Sequence, residues 1–393
     1  MKVVTENDSA TSYSLAVSRG DTLHVVWERF WDFTPDTIGK DVYWRWAKDT
    51  VWGPVVNLSN GHWIGQRGTL DPSIVADTFG AIHLASRYLT NPWSLHYLRR
   101  EGGVWRDTSF DYDGALPQLT VDGLGQVHLV YTRPYSVFYR KRDTTGVWGS
   151  EELVSDSLVW ASGPTVVVGR DNRPRVIYYG NKSGLDPGRV YFSERMPAGN
   201  WRGPDLISPS SDTERSRLPS VAVDSLNRLW VAWDYTDSSI LSRFRQVMGR
   251  RHDGVNWDSL TILTDTALHC YNASLSERAW NGGADVVWEW LKMPEDSAVI
   301  MYGWWPFSPS GVEQGPVVPS PFYRLPFSVV PNPFVSYAVV LGHAKERFSL
   351  YDVSGRKVGV YQGNRVGLGL SAGIYFLKPE GDNAKPLRIV KLR

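Results

Sequence analysis

Apolar and polar residues alternate along most of this chain in short runs, the period of a strand with one buried face. Leu23-His24-Val25-Val26-Trp27 is one such run. It returns as Ile82 to Ser86, Val127 to Tyr131, Pro174 to Tyr178, Leu229 to Trp233 and Ala284 to Trp288, 45 to 59 residues apart. Ahead of four of these runs stands a second strand, opened by Asp71-Pro72-Ser73, Leu116-Pro117-Gln118, Gly163-Pro164-Thr165 and Leu218-Pro219-Ser220. Turns such as Asp77-Thr78-Phe79-Gly80 and Asp122-Gly123-Leu124-Gly125 join the two, with Asp and Gly supplying side-chain hydrogen bonds and positive φ. A third strand follows, then a turn closing on Trp52, Trp105, Trp148, Trp201 or Trp257, then a fourth strand. Gly315-Pro316-Val317-Val318 echoes Gly53-Pro54-Val55-Val56 and predicts the fourth strand of the last unit. A four-stranded unit repeated in this way predicts an all-β, six-bladed β-propeller. The blades span 12–60, 71–115, 116–161, 162–216, 217–268 and 269–320.

Composition agrees: 36 Gly, 24 Pro, 19 Trp and 19 Tyr suit short strands, tight turns and wedge-shaped spaces between twisted sheets. A formal net charge of +1 gives no global field for DNA, RNA or an anionic membrane, so no nucleic-acid partner is expected. Cys270, the single cysteine, forms no internal disulfide and no thiolate cage. No apolar run reaches the length of a membrane span, and Met1 to Ser18 lacks the apolar core of a signal peptide. With the first repeat starting near Ser12, the expectation is a shortened N-terminus that an export signal once preceded.

The tryptophan turns carry a resemblance. Asp143-Thr144-Thr145-Gly146-Val147-Trp148, His252-Asp253-Gly254-Val255-Asn256-Trp257 and Glu101-Gly102-Gly103-Val104-Trp105 resemble the Asp-box hairpin of sialidases, with the leading serine and the threonine missing. The resemblance implies a sialidase-like propeller, a group that includes glycosidases and lectins. By that resemblance, catalysis would need an arginine cluster for the substrate carboxylate, a tyrosine nucleophile with a glutamate beside it, and an aspartate as acid or base. In an up-and-down blade the end of strand two shares a face with the blade's start. That places Glu28-Arg29, Arg87-Tyr88, Thr132-Arg133, Tyr179, Asp234-Tyr235 and Glu289-Trp290 just past strand two around one channel mouth, with Arg217 at a blade start. Acids, arginines and rings in one place suit sugar hydroxyls and pyranose faces; they also suit a solvated rim.

His24, His83 and His128 share one column of the repeat. Residues one blade apart cannot close on a single metal ion, so they read as repeat-encoded packing groups that each reach a nearby loop. No nucleotide, metal or cofactor signature is present.

Proline-rich residues 321–330 read as a linker, and 331–393 as a small immunoglobulin-like β-sandwich of short strands. Val330-Pro331-Asn332-Pro333-Phe334, Phe348 to Val358, Leu370 to Leu377 and the terminal Arg388 to Arg393 resemble the type A C-terminal sorting domain of the type IX secretion system. The resemblance implies a protein that is secreted, or displayed on the outer membrane of a Gram-negative-type bacterium, through contact with the secretion machinery; a monomer is expected. Three functional readings stand: a glycan-binding propeller, a sialidase-like exo-glycosidase, and a non-catalytic adhesion or protein-interaction platform.

Overall fold

The computed structural model describes residues 10–34, 37–49, 51–59, 69–88, 94–110, 113–156, 158, 160–182, 188–211, 213–238, 244–266, 268–276, 279, 283–292, 297–306, 328–330, 338–341, 347–362, 365–379 and 387–392. The chain divides into two units, 1–312 and 313–393. All named elements are strands.

In the first unit each repeat forms its own antiparallel sheet, with strands in sequence order from one edge to the other. Blade one holds Ala10–Ser18, Thr22–Thr34 and Thr37–Lys48, then the short Val51–Trp52 and Val56–Asn57. Blades two to five follow with four strands each, and blade six holds His269–Leu275, Gly283–Lys292 and Ser297–Pro306. The expected fourth strand at 315–318 lies outside the described residues. The first strands of all six blades line one central cavity of about 730 Å³, which makes the ring a propeller with a channel on its axis.

Two repeated devices seal neighbouring blades. The turn tryptophan of one blade packs edge-on against a third-strand ring of the blade before it: Trp105 on Trp44, Trp148 on Tyr97, Trp201 on Tyr139 and Trp257 on Phe192, at 5.0 to 5.5 Å between centroids. Nearer the channel, a first-strand serine accepts a hydrogen bond from the next blade's first strand. The pairs are Ser14 with the Ile74 N–H, Ser73 with Leu119 and Ser220 with Leu275. An inner edge strand would otherwise show unpaired N–H groups to the channel.

One seam differs. Ile74, Leu119, Val166, Val221 and Leu275, at one position of strand one, are all buried against the preceding blade, whereas their equivalent Leu15 is 56% exposed. On the other side, Val287 of blade six is 36% exposed where Val26, Ala85, Val130, Ile177 and Ala232 are buried. Among the described residues, blades one and six exchange no strand.

The histidine column is structural. His83 lies 3.1 Å from Asp77 and 2.6 Å from the Tyr97 hydroxyl, and His128 repeats this with Asp122 at 3.2 Å and Tyr139 at 2.8 Å. One ring nitrogen thus serves the turn between strands one and two, and the other serves strand three. Burial lowers both pKa values, so the neutral ring is the native form.

The second unit pairs Ser328–Val330, Ala338–Leu341 and Arg365–Val366 in one sheet, and Lys357–Gln362, Arg347–Asp352, Gly373–Pro379 and Leu387–Lys391, in that order, in another. Phe348, Leu350, Val366, Leu377 and Ile389 form the core between them. Asp352 accepts from the Ser354 and Arg356 N–H groups to close the hairpin the sequence marks there. Residues 331–337 lie outside the described residues.

Candidate functional site

Every blade carries a β-bulge at the same place in strand one, and the bulge builds the mouth. The register slips between Thr11 and Tyr13, Leu70 and Ser73, Ala115 and Gln118, Ser162 and Thr165, Arg217 and Ser220, and Tyr271 and Ser274. At each slip one residue has left-handed φ, from 40° to 56°: Ser12, Asp71, Leu116, Gly163, Leu218 and Asn272. Only Gly163 holds this conformation without a Cβ penalty; a Cβ there would also meet the Tyr179 ring at 2.3 Å. Bulges re-aim side chains next to functional mouths.

The residue before each bulge pairs across the ladder with one position of strand two. The pairs are Thr11 with Glu28, Leu70 with Arg87, Ala115 with Thr132, Ser162 with Tyr179, Arg217 with Asp234 and Tyr271 with Glu289. The sequence alignment of strand two therefore names structurally equivalent positions. It misplaces them in one respect: all six lie inside strand two, because the bulged strand one continues to pair beyond them.

Side chains alternate across a strand, so the expected ring splits in two. Glu28, Arg87, Tyr179, Asp234 and Glu289 share one face. Arg29, Tyr88, Arg133, Tyr235 and Trp290 take the other and are engaged within the fold. Arg29 lies over Tyr43 at 5.4 Å, Tyr88 stacks on His96 at 3.6 Å, Arg133 pairs with Glu151 at 2.7 Å, the Tyr235 hydroxyl donates to Glu214 at 2.6 Å, and Trp290 packs against the core shared by blades five and six. Nor is the first set a solvated rim. Glu28 and Asp234 are each 1% exposed.

Two stations stand out. Between blades one and two, Glu28 accepts from the Asp71 N–H at 2.6 Å and pairs with Lys40 at 2.8 Å, while Arg87 pairs with Asp71 at 3.2 Å. This station is internally balanced. Tyr179, by contrast, meets Trp160 edge-on at 5.2 Å and packs against the core shared by blades four and five.

Between blades five and six, Asp234 accepts from the Asn272 N–H at 2.8 Å through Oδ1, and its buried Oδ2 has no hydrogen-bond partner among the described residues. Burial pushes its pKa up to about 6, against the pull of the Asn272 and Ala273 N–H groups and the Arg245 and Arg217 guanidinium groups. The Asn272 amide donates to Glu289 at 3.0 Å. Tyr271 sits across the ladder from Glu289, and burial and the charge of that carboxylate raise its pKa, so it rests as the phenol. Arg245 lies over the Tyr271 ring at 5.7 Å.

This second station joins an aspartate able to hold a proton near neutral pH, a tyrosine beside a glutamate, and two arginines. Sequence reasoning named Arg217, Asp234 and Glu289 but missed Tyr271, Asn272 and Arg245. Tyr271 and Asn272 follow from the blade-six bulge, where Asn272-Ala273 replaces the residue-proline pair that marks four of the other blade starts, and Arg245 lies immediately before the third strand of blade five. Among the described residues, no cluster of His, Cys, Asp and Glu has metal-binding geometry.

No protein-family model matches the chain, and no curated protein matches it either. Solved structures do. An ulvan lyase from a new family of polysaccharide lyases, bound to -[GlcA(1-4)Rha3S]-, is similar with a TM-score of 0.54 at 12% identity, over 77% of this chain and 79% of that one. The NanB sialidase of Streptococcus pneumoniae is similar at 0.52 and 9% identity, over 78% and 70%. A protein of unknown function from Dyadobacter fermentans is similar at 0.50 and 11% identity, over 77% and 96%. At such identities the likeness is one of fold.

Proposed function

We propose that this protein binds a glycan at the bulged mouth of the propeller, with the station between blades five and six as its centre. The carrying observation is Asp234, a buried carboxylate whose Oδ2 lacks a hydrogen-bond partner among the described residues while Arg217, Arg245, Tyr271 and Asn272 surround it. A buried acceptor without a partner is costly, and a sugar hydroxyl is a donor of the right kind to satisfy it. The arginines would add charge-assisted bonds and the Tyr271 ring an apolar face.

The Tyr271–Glu289 pair favours a second reading, glycoside hydrolysis of the sialidase type. Glu289 would take the phenol proton as Tyr271 attacks the anomeric carbon, and Asp234, protonated up to about pH 6, would donate to the leaving oxygen. Two arginines rather than three converge there among the described residues, which weakens this reading relative to binding. Turnover of a panel of fluorogenic glycosides, sialosides included, separates the two. Hydrolysis abolished by Tyr271→Phe establishes the second reading; a panel left intact by a protein that still binds glycans leaves the first.

Export through a type IX-like route belongs to the same proposal. Its support is the C-terminal unit, whose strands Arg347–Asp352, Lys357–Gln362, Gly373–Pro379 and Leu387–Lys391 lie on the landmarks of the sorting-domain resemblance. Secretion of a fusion carrying residues 321–393, and its loss when those residues are deleted, is the test.

A further inference from the structure

Two leucines at the channel mouth are held in a backbone conformation that leucine disfavours. At the six strand-one bulges the left-handed residue is Ser12, Asp71, Leu116, Gly163, Leu218 or Asn272. Glycine enters that region freely, and Asp and Asn enter it far more readily than a branched apolar side chain. Leu116 and Leu218 nevertheless hold φ at 51° and 52°. The bulge asks nothing of either side chain, because the backbone makes the bond to the neighbouring blade: the N–H groups of Asp71 and Asn272 donate to Glu28 and Asp234 at the same position. Strain retained at a bulky residue points to a use for its side chain.

Both leucines line the axial cavity of about 730 Å³, and Leu218 is 43% exposed. Pro72, Pro164 and Pro219 bring rings without an N–H to the same lining, and the exposed Leu15 and Val287 border it where blades six and one meet. Its polar groups are largely committed. Ser14, Ser73 and Ser220 accept from the next blade. Asp285, the only acidic or basic side chain in the lining among the described residues, accepts from the Tyr302 hydroxyl at 2.5 Å. A cavity of this size is in the range of ligand pockets, roughly 300 to 1,000 Å³, and an apolar lining takes apolar guests.

Cavity and glycan station meet at Asn272. This residue belongs to the lining, its N–H donates to Asp234 and its side-chain amide donates to Glu289. Leu218 directly follows Arg217. A sugar at the station therefore has an apolar cavity beside it.

We propose that the channel is an aglycone site: the ligand is a sugar carrying an alkyl or aryl group, with the sugar held between blades five and six and the apolar group lodged in the channel past Leu116 and Leu218. This rests on the glycan reading above. An apolar group there removes from water the side chains that the strained bulges present, whereas a wholly polar oligosaccharide gains nothing from them.

The test titrates the full chain with N-phenylnaphthylamine, an uncharged apolar fluorophore that brightens when it leaves water. Wild type is expected to bind the dye saturably at one site per chain, and Leu116→Asn/Leu218→Asn to bind it at least about tenfold more weakly, since two apolar contacts are lost. Asn already occupies the blade-six bulge at φ 54°, so the variant keeps the backbone and should unfold at a temperature no lower than wild type. Competition then reads the sugar. Octyl glycosides of glucose, galactose, N-acetylglucosamine, glucuronic acid and N-acetylneuraminic acid are compared with the matching methyl glycosides and with octanol. At least one octyl glycoside should displace the dye at concentrations at least about tenfold below both its methyl counterpart and octanol. No dye binding by wild type, equal binding by the folded variant, or octyl glycosides no better than methyl glycosides overturns the proposal, whatever a glycan array shows. Octyl glycosides matched by octanol across the whole panel overturn the glycan reading instead and leave the channel as an apolar site.

Discussion

Asp234 shows what one side chain contributes here. Its pKa of about 6, against an ordinary 3.8, means that between these values the folded protein holds a proton the unfolded chain has released. Its contribution to stability is therefore most favourable below about pH 4 and declines as pH rises through about 6, by about 3 kcal/mol in all. Asp234→Asn removes that dependence. The difference in stability between wild type and variant, from denaturant unfolding at pH 4 to 7.5, should favour the variant progressively as pH rises; a flat difference would show that Asp234 titrates normally. Taking the difference cancels the buried histidines, whose lowered pKa values act in the opposite sense by destabilising the fold as pH falls below 6.5. The identity of this aspartate could be read from the repeat, but its burial could not. The bulge that turns it toward Asn272 is a backbone event with no residue signature in blade six, where the proline is missing.

At the scale of the element, the repeat explains itself through contacts between blades. The tryptophan turns end on the third-strand ring of the blade before, so Trp148→Ala should cost about 3 to 5 kcal/mol although it lies in a surface turn. Chemical denaturation measures this, and a loss under 1 kcal/mol would mean that the turn closes without its neighbour. Gly163→Ala places a Cβ at positive φ against Tyr179 and should destabilise by at least about 1 kcal/mol. Strand limits were largely legible in the sequence. The C-terminal unit holds the short strands expected of it, Ala338–Leu341 and Lys357–Gln362 among them, since alternation and Gly turns set local structure. Strand two was expected to stop before Glu28 and its equivalents, because polar residues there look like a loop until the bulged partner strand is seen to continue alongside them.

The propeller unit is a ring whose described residues form five sealed seams and one more exposed one. Leu119→Ala should cost about 2 to 5 kcal/mol, as a buried leucine does, whereas Leu15→Ala at the equivalent place should cost under about 1 kcal/mol because Leu15 is already 56% exposed. Equal losses would mean that the seam between blades six and one is closed in solution. Hydrogen exchange offers a second reading of the same point, with Ala10–Ser18 and Gly283–Lys292 losing protection before the first strands of blades three and four. Six repeats told of a ring; they could not tell that Leu15 and Val287 at its last joint are more exposed than their counterparts, because the residues there are as apolar as those elsewhere.

The central claim is that the station of Arg217, Asp234, Arg245, Tyr271 and Glu289 is a glycan site. Its most direct measurement is a glycan array probed with wild type and Arg217→Ala, an exposed position whose loss leaves the core intact. The account predicts that wild type binds a defined subset of glycans and that Arg217→Ala binds the same subset at least about tenfold more weakly, the loss expected for a charge-assisted bond. Binding of no glycan by wild type, or equal binding by both proteins, would contradict it.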